Sequence, residues 1–131
     1  MNHTSLKPQR ASAILQSYNQ TPRKVRLVTD LVKGKKIPAA LAILQFLPKR
    51  AAEPITKLIK SAVSTAKKSG ENEETLKLQS ITVENAGMMK RYMPRAFGRA
   101  SAIRRRKSRI KITLASTSAT TSTSPSSRSM I

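Results

Sequence analysis

The alternation of apolar and polar positions changes period twice along this chain, and each change marks a different kind of element. From Ser12 to Tyr18, Ala13 and Leu15 alternate with more polar neighbours, the period-two pattern of a short strand. Thr21 then stands before Pro22. A threonine can cap a helix, and a proline in the first helical position gives up an N–H that has no partner there. Val25, Val28, Leu31 and Val32 follow at helical spacing and predict an apolar stripe, with Gly34 as the stop. The opposite face carries Arg23, Lys24, Arg26 and Lys33, and Asp30 lies four residues after Arg26, within reach of an ion pair. Pro38 opens a second, shorter helix with Leu41, Leu44 and Leu47 inward, Phe46 in the core and Pro48 at its end. A third helix runs from about Ala51 to Lys68, with Pro54 tolerated in its first turn. Ile55, Leu58, Ile59, Ala62, Val63 and Ala66 form its buried stripe.

After the third helix, the loop from Ser69 to Thr75 holds Glu71, Glu73 and Glu74, half of the six acidic residues. The period then returns to two. Ile81 and Val83 alternate with Ser80, Thr82 and Glu84, and Ile110, Ile112 and Leu114 alternate with Arg109, Lys111 and Thr113. Two such runs joined by a long connection predict an antiparallel pair extended into a hairpin over residues 84–110. With ten residues per arm the ribbon would project on the order of 30 Å. A two-stranded ribbon is marginal in water, so something should surround it. Residues 1–115 thus read as one α+β domain, with three helices on a small three-stranded antiparallel sheet and a protruding hairpin. From Ser116 onward, eleven of sixteen residues are Ser or Thr without hydrophobic periodicity, which predicts a disordered tail over 116–131.

Charge changes the picture most. The 131 residues carry 26 Lys and Arg against 6 Asp and Glu, a formal net charge of +20. Self-repulsion at that level calls for a polyanionic partner, and each neutralised phosphate of a nucleic acid also releases counterions. The segment Met89–Lys107 concentrates this charge, with eight Lys and Arg in nineteen residues and no acidic residue after Glu84. Arg95, Arg99, Arg104, Arg105 and Arg106 offer forked donors to phosphates. Tyr92 and Phe97 offer faces to unpaired bases, a common mode of RNA recognition. Pro94 and Gly98 suit a bent tip. On the helical side, Arg23, Lys24 and Arg26 near a helix N-terminus, and Lys49 and Arg50 between two helices, are further candidate phosphate contacts.

Enzymatic chemistry is poorly served. There is no cysteine, and His3 is the only histidine, so the usual nucleophile–base pairs are missing. The glycines are isolated and form no phosphate-cradling loop. No cofactor and no metal site is expected. The longest strongly apolar run, Ile37 to Pro48, is too short to span a bilayer, and no membrane partner is expected. Two nucleic-acid readings remain open on these residues: an RNA-binding domain, and an architectural DNA-binding protein whose basic β-arm enters the minor groove. The latter are mostly obligate dimers, and no surplus apolar face for a homo-oligomer is evident in this chain.

Three segments in order, TPRKVRLVTDLVKGK (Thr21 to Lys35), ALAILQFLPKRAAEPITKLIKSA (Ala40 to Ala62) and MKRYMPRAFGRASAIRRRKSRI (Met89 to Ile110), resemble the large-subunit ribosomal protein L-twenty-two family. The resemblance spans about residues 10 to 115. It implies the α+β fold above and a structural role in the large ribosomal subunit, in the cytoplasm, beside neighbouring large-subunit proteins. In that setting the protein would bind large-subunit ribosomal RNA through Arg23, Lys24, Arg26, Lys49, Arg50, Lys90, Arg91, Arg104, Arg105, Arg106, Lys107 and Arg109. The hairpin tip, Met93, Pro94, Arg95, Ala96, Phe97, Gly98 and Arg99, would line the peptide exit tunnel and meet the nascent peptide, near where macrolide antibiotics bind. The chain departs from the family pattern at Ala86, Gly87 and Met88, where an acidic residue before Gly-Pro is frequent, and at Arg109, where a histidine is common. The Ser/Thr-rich tail is an extension that the pattern lacks.

Overall fold

A computed structural model describes residues 11–116. Strand β1 (Ser12–Tyr18) leads into helices α1 (Pro22–Val32), α2 (Ile37–Phe46) and α3 (Ala52–Lys68); two long strands, β2 (Leu76–Pro94) and β3 (Ala100–Ser116), complete the fold. The sheet is antiparallel with β3 in the centre, in the order β1-β3-β2. This is the α+β architecture that the periodicities predict. Ser116 ends β3 opposite Leu76, while His3 and the remainder of the Ser/Thr-rich segment lie outside the described residues.

The core forms between the helices and one face of the sheet. From β3, Ile110, Ile112 and Leu114 point inward, from β2 Leu76, Leu78 and Ile81, and α3 supplies all six residues of its predicted stripe. Two expectations fail. The inward stripe of α1 is Val25, Val28, Thr29 and Val32, whereas Leu31 is exposed. The i, i+3, i+4, i+7 row passes through Thr29, whose hydroxyl donates to the Arg26 carbonyl at 3.1 Å, so the polar group is buried with a partner. Phe46 is 84% exposed rather than core, because α2 turns Ile37, Ala40 and Leu44 inward and Phe46 stands two residues beyond Leu44, on the far side of the helix.

Thr21 does occupy the N-cap position of α1 with extended backbone, but its hydroxyl makes no capping hydrogen bond. Arg26 also departs from expectation. Its Nη2 donates to the Val83 carbonyl at 3.0 Å, tying α1 to the edge strand, and no ion pair with Asp30 forms.

Strand β3 changes role along its length. Between Thr113 and Ser108 it lies between β1 and β2; from Arg106 to Ala100 it pairs with β2 alone. Two β-bulges mark this boundary, both next to Ser108. On β1 the register shifts between Leu15 and Tyr18, and on β2 between Asn85 and Met88. Bulges bend a strand and increase its twist. Here they re-aim the ribbon as it leaves the body, and the free ribbon of residues 88–106 is on the order of 20 Å long, shorter than the whole 84–110 span suggests.

Gly87 makes the β2 bulge possible. Its φ is +94°, and its N–H donates to Asn85 Oδ1 at 3.1 Å. Beyond its chain neighbours no atom lies within 4 Å of where a Cβ would stand, so the cost of Gly87→Ala is conformational and not steric. That substitution should lower the stability of the free protein by about 1 kcal/mol in chemical denaturation. An unchanged midpoint would mean that the bulge relaxes without the positive φ.

Candidate nucleic-acid interface

The ribbon has no core of its own. Cross-strand partners share a face, so Met88 with Arg106, Lys90 with Arg104 and Tyr92 with Ala102 point to one side. Met89 with Arg105, Arg91 with Ile103 and Met93 with Ser101 point to the other. Each side therefore carries cations beside apolar groups, and residues 88–100 are exposed without exception. A surface of this kind cannot close on a hydrocarbon core. It suits a polyanion that also presents flat apolar faces.

Where the ribbon leaves the body, it faces the turn between β1 and α1. The Tyr18 hydroxyl donates to the Arg50 carbonyl at 3.3 Å, drawing the α2–α3 connection against the end of β1. The result is a groove of about 600 Å³. One wall is Asn19, Gln20, Thr21, Lys24 and Arg50; the other is Met89, Arg91, Arg104, Arg105, Arg106 and Lys107. Seven of these residues are cationic and none is acidic. No carboxylate pairs with any of the seven among the described residues. Unit charges held a few ångströms apart repel by about 1 kcal/mol per pair even in water, and salt screens them only beyond about 8–10 Å. An anion lying in the groove relieves that repulsion.

The acidic residues are used elsewhere. Glu73 pairs with Lys67 at 2.6 Å in the loop that enters β2 at the end remote from the ribbon, and Glu53 pairs with Lys57 at 2.7 Å on α3. The hydrogen bond from Lys57, and then its charge, holds the Glu53 carboxyl below its usual range. A carboxyl depressed in this way contributes stability above its unfolded pKa and loses it as pH falls through the folded value. Both partners are exposed, so the contribution is small.

Seven of the expected phosphate contacts therefore converge: Lys24, Arg50, Arg91, Arg104, Arg105, Arg106 and Lys107. Five do not line the groove. Arg23 and Lys49 are exposed and adjoin Lys24 and Arg50 in sequence. Arg26 is engaged with Val83, Lys90 lies opposite Arg104 on the ribbon, and Arg109 faces Glu84 across the sheet with 3.9 Å between charged atoms. Asn19, Gln20, Thr21 and Met89 line the groove but carry no mark in the sequence as contacts. Gln20 Oε1 is buried there without a hydrogen-bond partner. Only the fold brings this polar turn to the ribbon, and nothing in its local pattern could have announced it.

At the tip, the Arg95 N–H donates to the Arg99 carbonyl at 2.7 Å and the Arg99 N–H to the Ala96 carbonyl at 3.4 Å. These bonds close a tight turn over Ala96, Phe97 and Gly98. Arg95 Nε donates to Ser101 Oγ at 2.9 Å, which folds that guanidinium back along the ribbon.

Fold and groove together define a strongly cationic α+β protein whose charge gathers on a ribbon and on the groove at its root. Its sequence relatives agree with that class. Residues 13–115 match the family model described as ribosomal protein L22p/L17e. The chain is 46% identical over 105 residues to the large ribosomal subunit protein uL22 of Pelobacter propionicus, covering 79% of this chain and 95% of that protein. It is 47% identical to the uL22 of Desulfitobacterium hafniense, over 79% of this chain and 92% of the relative. With that of Geobacter sulfurreducens it shares 45% identity, over 80% and 96% respectively. The chain belongs to the ribosomal protein L22p/L17e family. These relatives are ribosomal proteins and not enzymes.

Proposed function

We propose that this chain is a structural constituent of the large ribosomal subunit in the cytoplasm, binding large-subunit ribosomal RNA through the groove at the root of its ribbon. The observation that carries this reading is the convergence of seven cations from three separate parts of the chain on one concave surface without a carboxylate. An RNA strand seated there would be held between the domain body and the ribbon, so that binding fixes the ribbon's direction as well as the protein's position. The ribbon then reaches onward through RNA, and its tip, residues 93–99, forms part of the wall of the peptide exit tunnel beside the nascent peptide. The protein contributes charge and shape there and no bond chemistry.

Sedimentation tests this reading. The full chain, expressed with a small tag, should travel with large subunits through a high-salt wash. Free protein at the top of the gradient, or protein pelleting with DNA, would overturn it. In the same experiment, deletion of residues 93–102 should leave the groove intact and allow incorporation, while altering the response of translation to peptides that act within the tunnel. If the shortened chain fails to enter subunits, the tip is an assembly element and not a wall.

A further inference from the structure

Among the described residues Phe97 is the one large apolar side chain that is 100% exposed, and it stands at the far end of the ribbon. Its backbone is left-handed, with φ +58° and ψ +35°. That conformation is uncommon for any residue but glycine, and least comfortable for a bulky one. Gly98, with φ +66°, follows it, so the turn already holds a residue free to take this geometry and still uses an aromatic at the position before. Strain of this kind, when held by the surrounding hydrogen bonds, is a pointer to function. The bonds between Arg95, Ala96 and Arg99 fix the peptide on both sides of Phe97, so the ring is presented from a rigid apex and is not a loose side chain on a mobile loop.

Among the described residues nothing covers the ring, and its surroundings decide which partner does. Arg95 and Arg99 flank it, and the whole connected ribbon is cationic. An aromatic face between cations matches a ligand that is flat and apolar in one part and anionic in the next, which is the chemistry of a nucleotide. We infer that Phe97 is a stacking platform for an unpaired RNA base, with Arg99 receiving an adjoining phosphate. The inference rests on the RNA-binding reading and refines it: the apex anchors to the RNA wall through its ring, leaving the other residues of the tip to face the tunnel's interior. Base–aromatic stacking is sequence-tolerant, because every base has a face to offer.

The chain contains no tryptophan, so Phe97→Trp creates a single fluorescent reporter at the apex. On titration with purified large-subunit ribosomal RNA, its emission should be strongly quenched, as stacked bases quench indole. Inorganic polyphosphate, which has charge but no bases, should bind without that quenching. In filter binding, Phe97→Ala should weaken RNA affinity about tenfold while the salt dependence keeps its slope, and Phe97→Tyr should restore the affinity. RNA retained by the Trp variant without quenching would overturn the stacking platform and leave RNA binding standing. Quenching by an unfolded polypeptide but not by RNA would assign the ring to the nascent chain and equally overturn it. Failure of the unsubstituted protein to retain RNA at all would overturn both readings, and the two failures are thereby distinguished.

Discussion

Alanine at Arg104, Arg105 and Arg106 together is expected to produce the largest loss of RNA binding available to any three neighbouring positions. All three line the groove, none has a carboxylate partner, and the register puts Arg104 and Arg106 on one face of β3 with Arg105 on the other. If each neutralises one phosphate, the slope of log affinity against log salt should fall by about 2 to 3 in magnitude. Between 50 and 200 mM salt the unsubstituted protein should then lose about 20- to 40-fold more affinity than the variant, a difference that filter binding resolves easily. An unchanged slope would remove these residues from the phosphate contacts. Arg109→Ala is the natural comparison: with Glu84 already opposite its charge, it should change the slope less than any one of the three.

For stability, the largest effect should come from Ile112→Ala. Ile112 is fully buried in the central strand, opposite Ala13 on β1 and Ile81 on β2, so its side chain meets both neighbours as well as the helices. Truncation there removes buried methyl groups between elements that cannot all collapse inward, at a cost of about 2–5 kcal/mol. For a domain near 100 residues, that corresponds to a fall in Tm of roughly 10 °C or more. Phe46→Ala removes a larger side chain but should stay within about 0.5 kcal/mol, since the ring is mostly in solvent. Calorimetry on both variants checks the pair; equal losses would mean that the core does not lie between the sheet and helices as described.

Phe46 also shows why parts of the molecule were legible in the sequence and others not. The stripe of α3 could be read completely, because seventeen residues hold several turns of consistent spacing. Helix α2 is short and apolar nearly all round, so its pattern does not say which side faces inward, and only its packing partners decide. Helix α1 misled by one position for a related reason: a threonine that bonds its own backbone behaves as a core residue, while hydropathy alone favours Leu31. The sheet was readable wherever one face is buried. It fell silent at the three register shifts, the two beside Ser108 and one on β2 between Leu78 and Ser80, since an extra residue in a strand looks like any other until its partner strand is known. The site divides in the same way. Its ribbon half is written as a charge run. Its helical half is scattered over the β1–α1 turn and the α2–α3 connection, which the fold joins through contacts such as the Tyr18–Arg50 hydrogen bond. Arg26 adds a converse case, a cation that composition counts toward the partner and the fold spends largely on its own edge strand.

The position of β3 in the sheet has a kinetic consequence. The strand that joins β1 to β2 is the last element of the described chain to leave the ribosome during synthesis, and the strand it must pair with on one side is the first. Until β3 emerges, β1 has no neighbour in the sheet and the inner faces of α1 and α3 have only part of their cover. Contacts that link opposite ends of a chain slow folding, because the intervening loop must be closed before they form. Pairing of β1 with β3 therefore waits for the end of the described chain, and the same strand that completes the core carries four of the seven cations of the groove. Before that step the chain has neither a finished fold nor a finished binding surface. The fold and the cationic groove are completed by the same strand.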